Sequence, residues 1–255
     1  MSIFDNYSQY YNLIYKDKDY ETEVDYTHRL LTRFNSGKKL LELGCGTGIH
    51  AYFLAQKGYS IEGVDLSPQM LNQTNRFMTN ADQEITKKLS FNQGDIRSFR
   101  SDKKFDSLIS LFHVFSYMTK NDDVCNALKT VNHHLDSSGI FIFDTWYAPA
   151  VHFLRPEVKI KKFENDLYFI NRISNPEHKP EENTVVVNYE LHIHNKETND
   201  WQYVKESHHV RYFSIPEIQY FAEQAGFKCL ATEEWLSGNI PSNDSWSVTV
   251  VLQKK

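Results

Sequence analysis

The chain has 255 residues, of which 40% are hydrophobic and 24% charged, with a formal net charge of −5. That length buries one α/β core plus an elaboration without covalent staples, and the acidic balance supplies no global basic field for DNA or RNA. The cysteines Cys45, Cys125 and Cys229 lie far apart without a C-x-x-C, so they read as reduced thiols of a cytoplasmic protein, not as a disulfide frame or a zinc site.

The N-terminus is polar and aromatic and lacks the basic-then-apolar layout of a secretion signal. No later run is long and apolar enough for a membrane span. A helical pattern over residues 21–34 opens a regular alternation. Residues 38–43 read as a buried strand, 47–57 as a helix and 59–65 as a second strand. Ser67 and Pro68 then start a helix, with serine as N-cap and proline in the first turn. Strands are predicted over 89–93, 105–112 and 140–146, with a helix over 121–135. Such β-α alternation implies a parallel sheet covered on both faces.

The alternation breaks after residue 150. VKIKKF, LYFINRI, TVVVNYELHIH and WQYVKESHHVRYF read as extended segments, separated by turn-forming NPEHKPEEN and NKETND. A helix over 215–225 closes on Gly226, and strands over 227–233 and 247–252 form a hairpin at the sheet's edge. The expected organisation is an aromatic, helical lid over 1–36, a cofactor-binding core over 37–150, an antiparallel β insertion over 151–213, and a sheet-completing end over 214–255.

The most informative segment is Leu40-Leu41-Glu42-Leu43-Gly44-Cys45-Gly46-Thr47-Gly48, a glycine turn between a strand and a helix. Glycines there admit close approach of a ligand to the backbone, and the next helix points free N–H groups at it. In the dinucleotide fingerprint the third small residue would fall on Ile49, which weakens a nicotinamide reading. Asp65 ends the second strand, where a carboxylate can accept both hydroxyls of a ribose. That acid alone does not separate a nicotinamide dinucleotide from another adenosyl cofactor.

Together with G-V-D-L-S around Asp65, G-D-I-R at residues 94–97 and H-L-x-x-x-G at 134–139, the E-L-G-C-G-T-G turn resembles class I S-adenosylmethionine (SAM)-dependent methyltransferases. The resemblance implies a Rossmann-like α/β fold and a small-molecule acceptor. It implies that Gly44, Cys45 and Gly46 line the methionine part of SAM, that Asp65 holds the ribose, and that Leu111 is among the cofactor-binding residues. Leu66 and Met70 would flank the adenine, with Asp95 and Ile96 at its amino edge. The plain alternative for Asp95 is a loop acid that caps Arg97.

Tyr7, Tyr10, Tyr11, Tyr15 and Tyr20 crowd the N-terminus, either as the packing face of a helix or as a lid whose rings attract a sulfonium. Their pattern, Y-x-x-I-Y-x-x-K-D-Y-x-x-E, with Ser110-Leu111-Phe112-His113 and Phe143-Asp144-Thr145-Trp146-Tyr147, resembles amino-sugar N-methyltransferases acting on nucleotide-linked deoxysugars. By that resemblance Tyr15 and Tyr117 face the sugar, and Tyr11 and Tyr20 sit nearer SAM. His113 either accepts a proton from the nucleophile or only shapes the pocket, and Tyr15 is its expected catalytic neighbour. His50 either touches the cofactor or packs beside it.

Trp146, Tyr147 and Trp235 are candidates for stacking on the acceptor or for the core. Arg155 and Arg211, with Lys159, Lys161, Lys162 and Arg172, are candidates for a nucleotide diphosphate or for an ordinary solvated face. No carboxylate-rich metal site is visible, which favours a nitrogen acceptor over a catechol-type oxygen. The flap predicts a homodimer. Three rival readings remain: methylation of another small acceptor, a SAM-binding regulator without turnover, and an NAD-linked oxidoreductase, which Ile49 and the lack of an evident hydride site oppose.

Overall fold

The computed structural model describes residues 8–255, so Tyr7 lies outside the described residues. Helices α1 (Ser8–Ile14) and α2 (Tyr20–Arg33) precede β1 (Lys39–Leu43), α3 (Ile49–Gln56), β2 (Ser60–Asp65) and α4 (Pro68–Asn80). The short α5 (Gln83–Thr86) leads to β3 (Leu89–Gln93) and β4 (Phe105–Ser110), then α6 (Asn121–His134), β5 (Leu135–Tyr147) and α7 (Ala148–Leu154). The insertion follows as β6 (Lys159–Glu164), β7 (Tyr168–Lys179), β8 (Thr184–Asn195) and β9 (Trp201–Phe213). The chain ends with α8 (Ile215–Gln224), β10 (Phe227–Glu234) and β11 (Ser247–Lys254).

Five parallel strands run in the order β3-β2-β1-β4-β5. Strand β11 pairs antiparallel with β5 and carries β10 at the edge, as the expected hairpin. The tip of β5 is also stitched to the insertion, Trp146 beside Tyr212 and Tyr147 beside Phe213, and the meander continues β9-β8-β7-β6. The fold is therefore the predicted class I α/β sheet with an antiparallel addition.

Alternate residues of the central strands enter opposite cores, as the two-residue strand period requires. Leu41, Leu43, Phe141 and Phe143 pack with Leu128 and Val131 of α6 and Ile218 of α8. Leu40, Ile61, Ile109 and Ile142 pack with Leu30, Leu31 and Leu54 on the other face. Each of these fully buried side chains contributes roughly 1.5–3 kcal/mol. In a third cluster, Tyr10, Tyr11 and Ile14 of α1 meet Met70 of α4 and Ile170, Leu191 and Val204 of the insertion. The N-terminal helix thus ties the cofactor-side helix to the added sheet.

Local signals held where they were strongest. Ser67 Oγ accepts from the Met70 N–H at 3.2 Å with Pro68 in the first turn, and Ser214 with Glu217 forms a capping box on α8. Two expectations need correction. Strand β4 stops at Ser110, because Phe112 and His113 turn left-handed (φ 64° and 62°). Asn175 to Lys179 is not turn but the end of β7, paired with β8. Pro176 is tolerated there because β6 pairing ends at Ser174, so that among the described residues no strand on that side of β7 receives an N–H. Helix α7 carried no anticipated signal. Among the described residues no helix is long and apolar enough to cross a membrane.

Candidate active site

The turn after β1 is built for close approach. Gly44 has φ 79°, and a Cβ there would fall 2.4 Å from Val114 Cγ1. Gly46 has φ 55°, yet a Cβ there would meet no described atom within 4 Å, although Gly46 lines a cavity. Asp65 braces the turn: its Oδ2 accepts from the Gly46 N–H at 2.8 Å and its Oδ1 from the Ser67 N–H at 2.9 Å. Burial nevertheless raises the Asp65 carboxyl above its usual range, outweighing these two donors.

The cavity at this carboxyl edge measures about 410 Å³, within the size range of small-molecule sites. It collects most of the predicted positions: Gly44, Cys45 and Gly46 after β1, Asp65, Leu66 and Met70 at and after the end of β2, Asp95 and Ile96 after β3, and Leu111 and His113 after β4. Tyr11, Tyr15, Tyr20, Tyr117 and Trp146 also line it. Tyr15 lies 4.6 Å from the Tyr11 ring and edge-on to Phe112 at 5.2 Å, forming an aromatic collar. An open space beside Gly46, a buried acid at the strand end and this collar suit an adenosyl sulfonium. Asp95 also serves its plain role, because Arg97 Nε donates to Oδ1 at 2.9 Å and Nη2 to Oδ2 at 2.6 Å. Burial alone would raise the Asp95 carboxyl, but these contacts hold it low.

On the far side, Asp144 at the end of β5 supports His113. Its carboxylate accepts from the His113 main-chain N–H, and Oδ2 lies 2.6 Å from Nδ1 as an ion-pair contact away from the ideal hydrogen-bond direction. His113 Nε2 is 3.5 Å from Ser247 Oγ. The insertion supplies the opposite wall with Val187, Tyr189 and His208. Tyr117 Oη is 2.7 Å from His208 Nδ1, and His208 Nε2 is 3.3 Å from Glu206 Oε2.

Sequence reasoning missed Phe112, which the left-handed turn after β4 brings to the cavity, and Tyr189 and His208, which become cavity residues only when the insertion folds back on the core. It also missed a buried polar cluster between the N-terminal helices and α3. Lys18 pairs with Glu23, whose Oε2 is 2.7 Å from His50 Nε2, and His50 lines the cavity. The Lys18 ammonium sits 4.1 Å from the Tyr20 ring centre and 4.4 Å from that of Phe112. Burial alone would raise Glu23, but His50 and Lys18 outweigh it and hold the carboxyl low. Glu42, fully buried on β1, is pushed up to about 8 by burial and by Asp65. The acid in E-L-G-C-G was visible in the sequence, though its environment was not.

Three predicted substrate residues lie outside the cavity lining. Tyr147 caps the start of α7, its N–H bonded to the Trp246 carbonyl. Arg155 is exposed at the end of α7 with φ 56°. Arg211 is buried and directed to Glu217 at 2.5 Å, Asn121 at 2.8 Å and the Thr119 carbonyl at 3.3 Å. It therefore supports the loop after Tyr117 instead of presenting its guanidinium to a ligand. Lys159, Lys161 and Lys162 are exposed on β6, and Trp235 packs on Tyr26 in the core.

A methyltransferase-domain family profile matches residues 15–232. A dTDP-3-amino-3,4,6-trideoxy-alpha-D-glucopyranose N,N-dimethyltransferase of Streptomyces venezuelae is 26% identical over 147 residues, covering 56% of this chain. The chain spans only 59% of the length of that relative. A dTDP-3-amino-3,6-dideoxy-alpha-D-glucopyranose N,N-dimethyltransferase of Streptomyces fradiae is 25% identical over 185 residues, 71% of this chain and 69% of that protein. The crystal structure of Streptomyces venezuelae DesVI superposes with a TM-score of 0.80 at 22% identity, over 98% of this chain and 99% of that one, a likeness of fold. The chain belongs to the methyltransferase-domain family, on the fold of the SAM-dependent enzymes and with SAM as the cofactor its cavity fits.

Proposed function

We propose that this protein transfers a methyl group from SAM to the amino group of a nucleotide-linked amino-deoxysugar. The supporting observation is continuity: one cavity runs from Gly46 and Asp65 past His113 to Tyr117, Tyr189 and His208 on the insertion. Cofactor and acceptor would therefore share one continuous space. The similar proteins from Streptomyces venezuelae and Streptomyces fradiae act, by their names, on dTDP-linked amino sugars.

When bound, SAM supplies a methyl carbon activated by its sulfonium. Asp65 takes the ribose hydroxyls, Leu66 and Met70 flank the adenine, and Asp95 and Ile96 meet its amino edge. Gly44, Cys45, Gly46 and Leu111 line the methionine side, with Tyr11 and Tyr20 above. Tyr15, Tyr117, Trp146 and His113 face the acceptor. Alignment of nucleophile and methyl supplies much of the rate, and a neutral amine needs no strong base. Residues 1–36 act as the lid and the insertion as the acceptor flap. A homodimer through the insertion is consistent with Ile160 and Val158 standing exposed at its outer strand.

The test is incubation with SAM and a panel of nucleotide amino-sugars, read by mass for the addition of one or two methyl groups. Methylation of neutral sugars or unrelated amines, with the panel untouched, would replace the acceptor. Tight S-adenosylhomocysteine binding without turnover on any acceptor would favour a regulatory protein.

A further inference from the structure

We propose that Arg97 is a positioning residue for cofactor recognition: anchored on Asp123, it fixes the Asp95 carboxylate so that one acceptor site is left to read the 6-amino group of the adenine. The inference rests on the placement of SAM proposed above and is independent of the methyl acceptor.

The geometry accounts for most of the lone pairs of Asp95. An ionised carboxylate offers about four acceptor sites, two on each oxygen. Oδ1 accepts from the Arg97 main-chain N–H at 2.8 Å and from Arg97 Nε at 2.9 Å, which fills its two sites. Oδ2 accepts from Nη2 at 2.6 Å and takes the longer arm of the shared Nε–H at 3.1 Å. Counting the shared N–H once, three donors occupy the carboxylate, and the fourth site, on Oδ2, serves one further N–H. Asp95, Ile96 and Arg97 stand side by side in the cavity lining.

The guanidinium is itself held from α6. Its remaining terminal nitrogen, Nη1, donates to Asp123 Oδ1 at 3.1 Å, in the first turn of that helix. A planar fork bound to two carboxylates does not turn without losing hydrogen bonds. Two carboxylates on one guanidinium also keep a net negative charge, which suits the N–H of an exocyclic amine. Burial would raise the Asp95 carboxyl, but the hydrogen bonds and charge of Arg97 outweigh it, so the group at neutral pH accepts and does not donate. Every hydrogen bond to Oδ2 among the described residues comes from Arg97. Without that side chain the main-chain N–H still holds Oδ1, and Oδ2 is left to rotate about the Cβ–Cγ bond. Asp65 is built differently, on the main-chain N–H groups of Gly46 and Ser67, so the proposed ribose contact does not depend on Arg97.

The experiment measures two affinities by calorimetry: that of S-adenosylhomocysteine, and that of its analogue with hydrogen in place of the purine 6-amino group. Wild type is compared with Arg97→Met, Asp95→Ala and Asp123→Asn, the last lying outside the cavity lining and keeping an oxygen for the Lys120 N–H. The wild type is expected to prefer the amino ligand by about 10-fold or more, as for a hydrogen bond to a charged group. In Arg97→Met and Asp95→Ala that ratio is expected to fall within about threefold of unity, with Asp123→Asn between, while affinity for the analogue stays within about threefold of wild type. If Arg97→Met weakens both ligands in parallel and keeps the ratio, Arg97 only supports or stacks, and the proposal is overturned. A ratio lost in Asp95→Ala but kept in Arg97→Met overturns the role of Arg97 alone. A wild-type ratio near unity overturns the reading of Asp95 and this proposal with it, and no binding of either ligand overturns the cofactor placement itself.

Discussion

Asp144 grips His113 at two points, accepting from its main-chain N–H at 3.1 and 3.2 Å while Oδ2 lies 2.6 Å from Nδ1. The contact matters because His113 and Phe112 are consecutive non-glycine residues in the left-handed region. Such conformations cost about 1–2 kcal/mol each and persist only when their surroundings enforce them. The carboxyl edge of β5 thus sets where the His113 imidazole stands in the cavity. Asp144→Asn and His113→Ala should each lower kcat, by about 10-fold or more, with S-adenosylhomocysteine affinity little changed. The double variant should be less impaired than the product of the two. Steady-state kinetics and calorimetry check both parts, and unchanged turnover in His113→Ala removes that residue from the mechanism.

Asp65 is the cofactor-side counterpart. Its carboxylate braces the Gly46 and Ser67 N–H groups, so its removal loosens the turn as well as the ribose contact proposed for it. Asp65→Ala should weaken S-adenosylhomocysteine by about 100-fold or more, the loss of one or two charge-assisted hydrogen bonds. A dissociation constant within threefold of wild type, about 0.6 kcal/mol, would contradict the assignment.

Gly44 and Gly46 should fail in different ways. An alanine at Gly44 collides with Val114, so Gly44→Ala should lower the melting temperature by several degrees. An alanine at Gly46 meets no described atom, so Gly46→Ala should pay mainly the left-handed strain, about 1–2 kcal/mol. Its methyl takes space the ligand needs, and cofactor binding should be lost from a folded protein. Circular dichroism melting set beside calorimetry separates the two effects.

Glu42 gives the stability a pH dependence. Its folded carboxyl is pushed up to about 8 by burial, whereas the unfolded group titrates near about 4.3. A raised folded value means that the folded state holds the proton more tightly. The associated stability is complete at low pH and declines as pH rises toward and through about 8. Glu42→Gln should therefore melt close to wild type at pH 5 and roughly 4–8 °C above it at pH 9. Equal melting temperatures at both pH values would show that the carboxyl ionises freely.

Glu23 works in the opposite sense. Its carboxyl is held low by His50 and Lys18 against the cost of burial, so its contribution is present above the unfolded carboxyl value and is lost as pH falls through the folded one. Glu23→Ala leaves the buried Lys18 without its carboxylate and should cost about 3 kcal/mol at neutral pH. Denaturant unfolding at neutral and acidic pH should show that difference shrinking in acid.

Much of the fold was legible because its signals are local. Apolar runs marked β1, β2 and β5, Ser67-Pro68 marked a helix start, and the glycine turn with Asp65 declared a cofactor site within a single β-α-β unit. The Pro176 strand was hidden because a proline reads as a turn until the absence of a neighbouring strand is known. The acceptor side was less legible still. His113 and Asp144 are 31 residues apart, and Tyr117 and His208 are 91 apart. Arg211 was a candidate ligand by type alone until α8 placed Glu217 beside it. Sequence by itself determined the backbone periodicities and the adenosyl turn, since both depend on neighbours a few residues away. Only the tertiary structure decided which polar groups meet, because hydrogen bonding and burial depend on where distant segments are brought into contact.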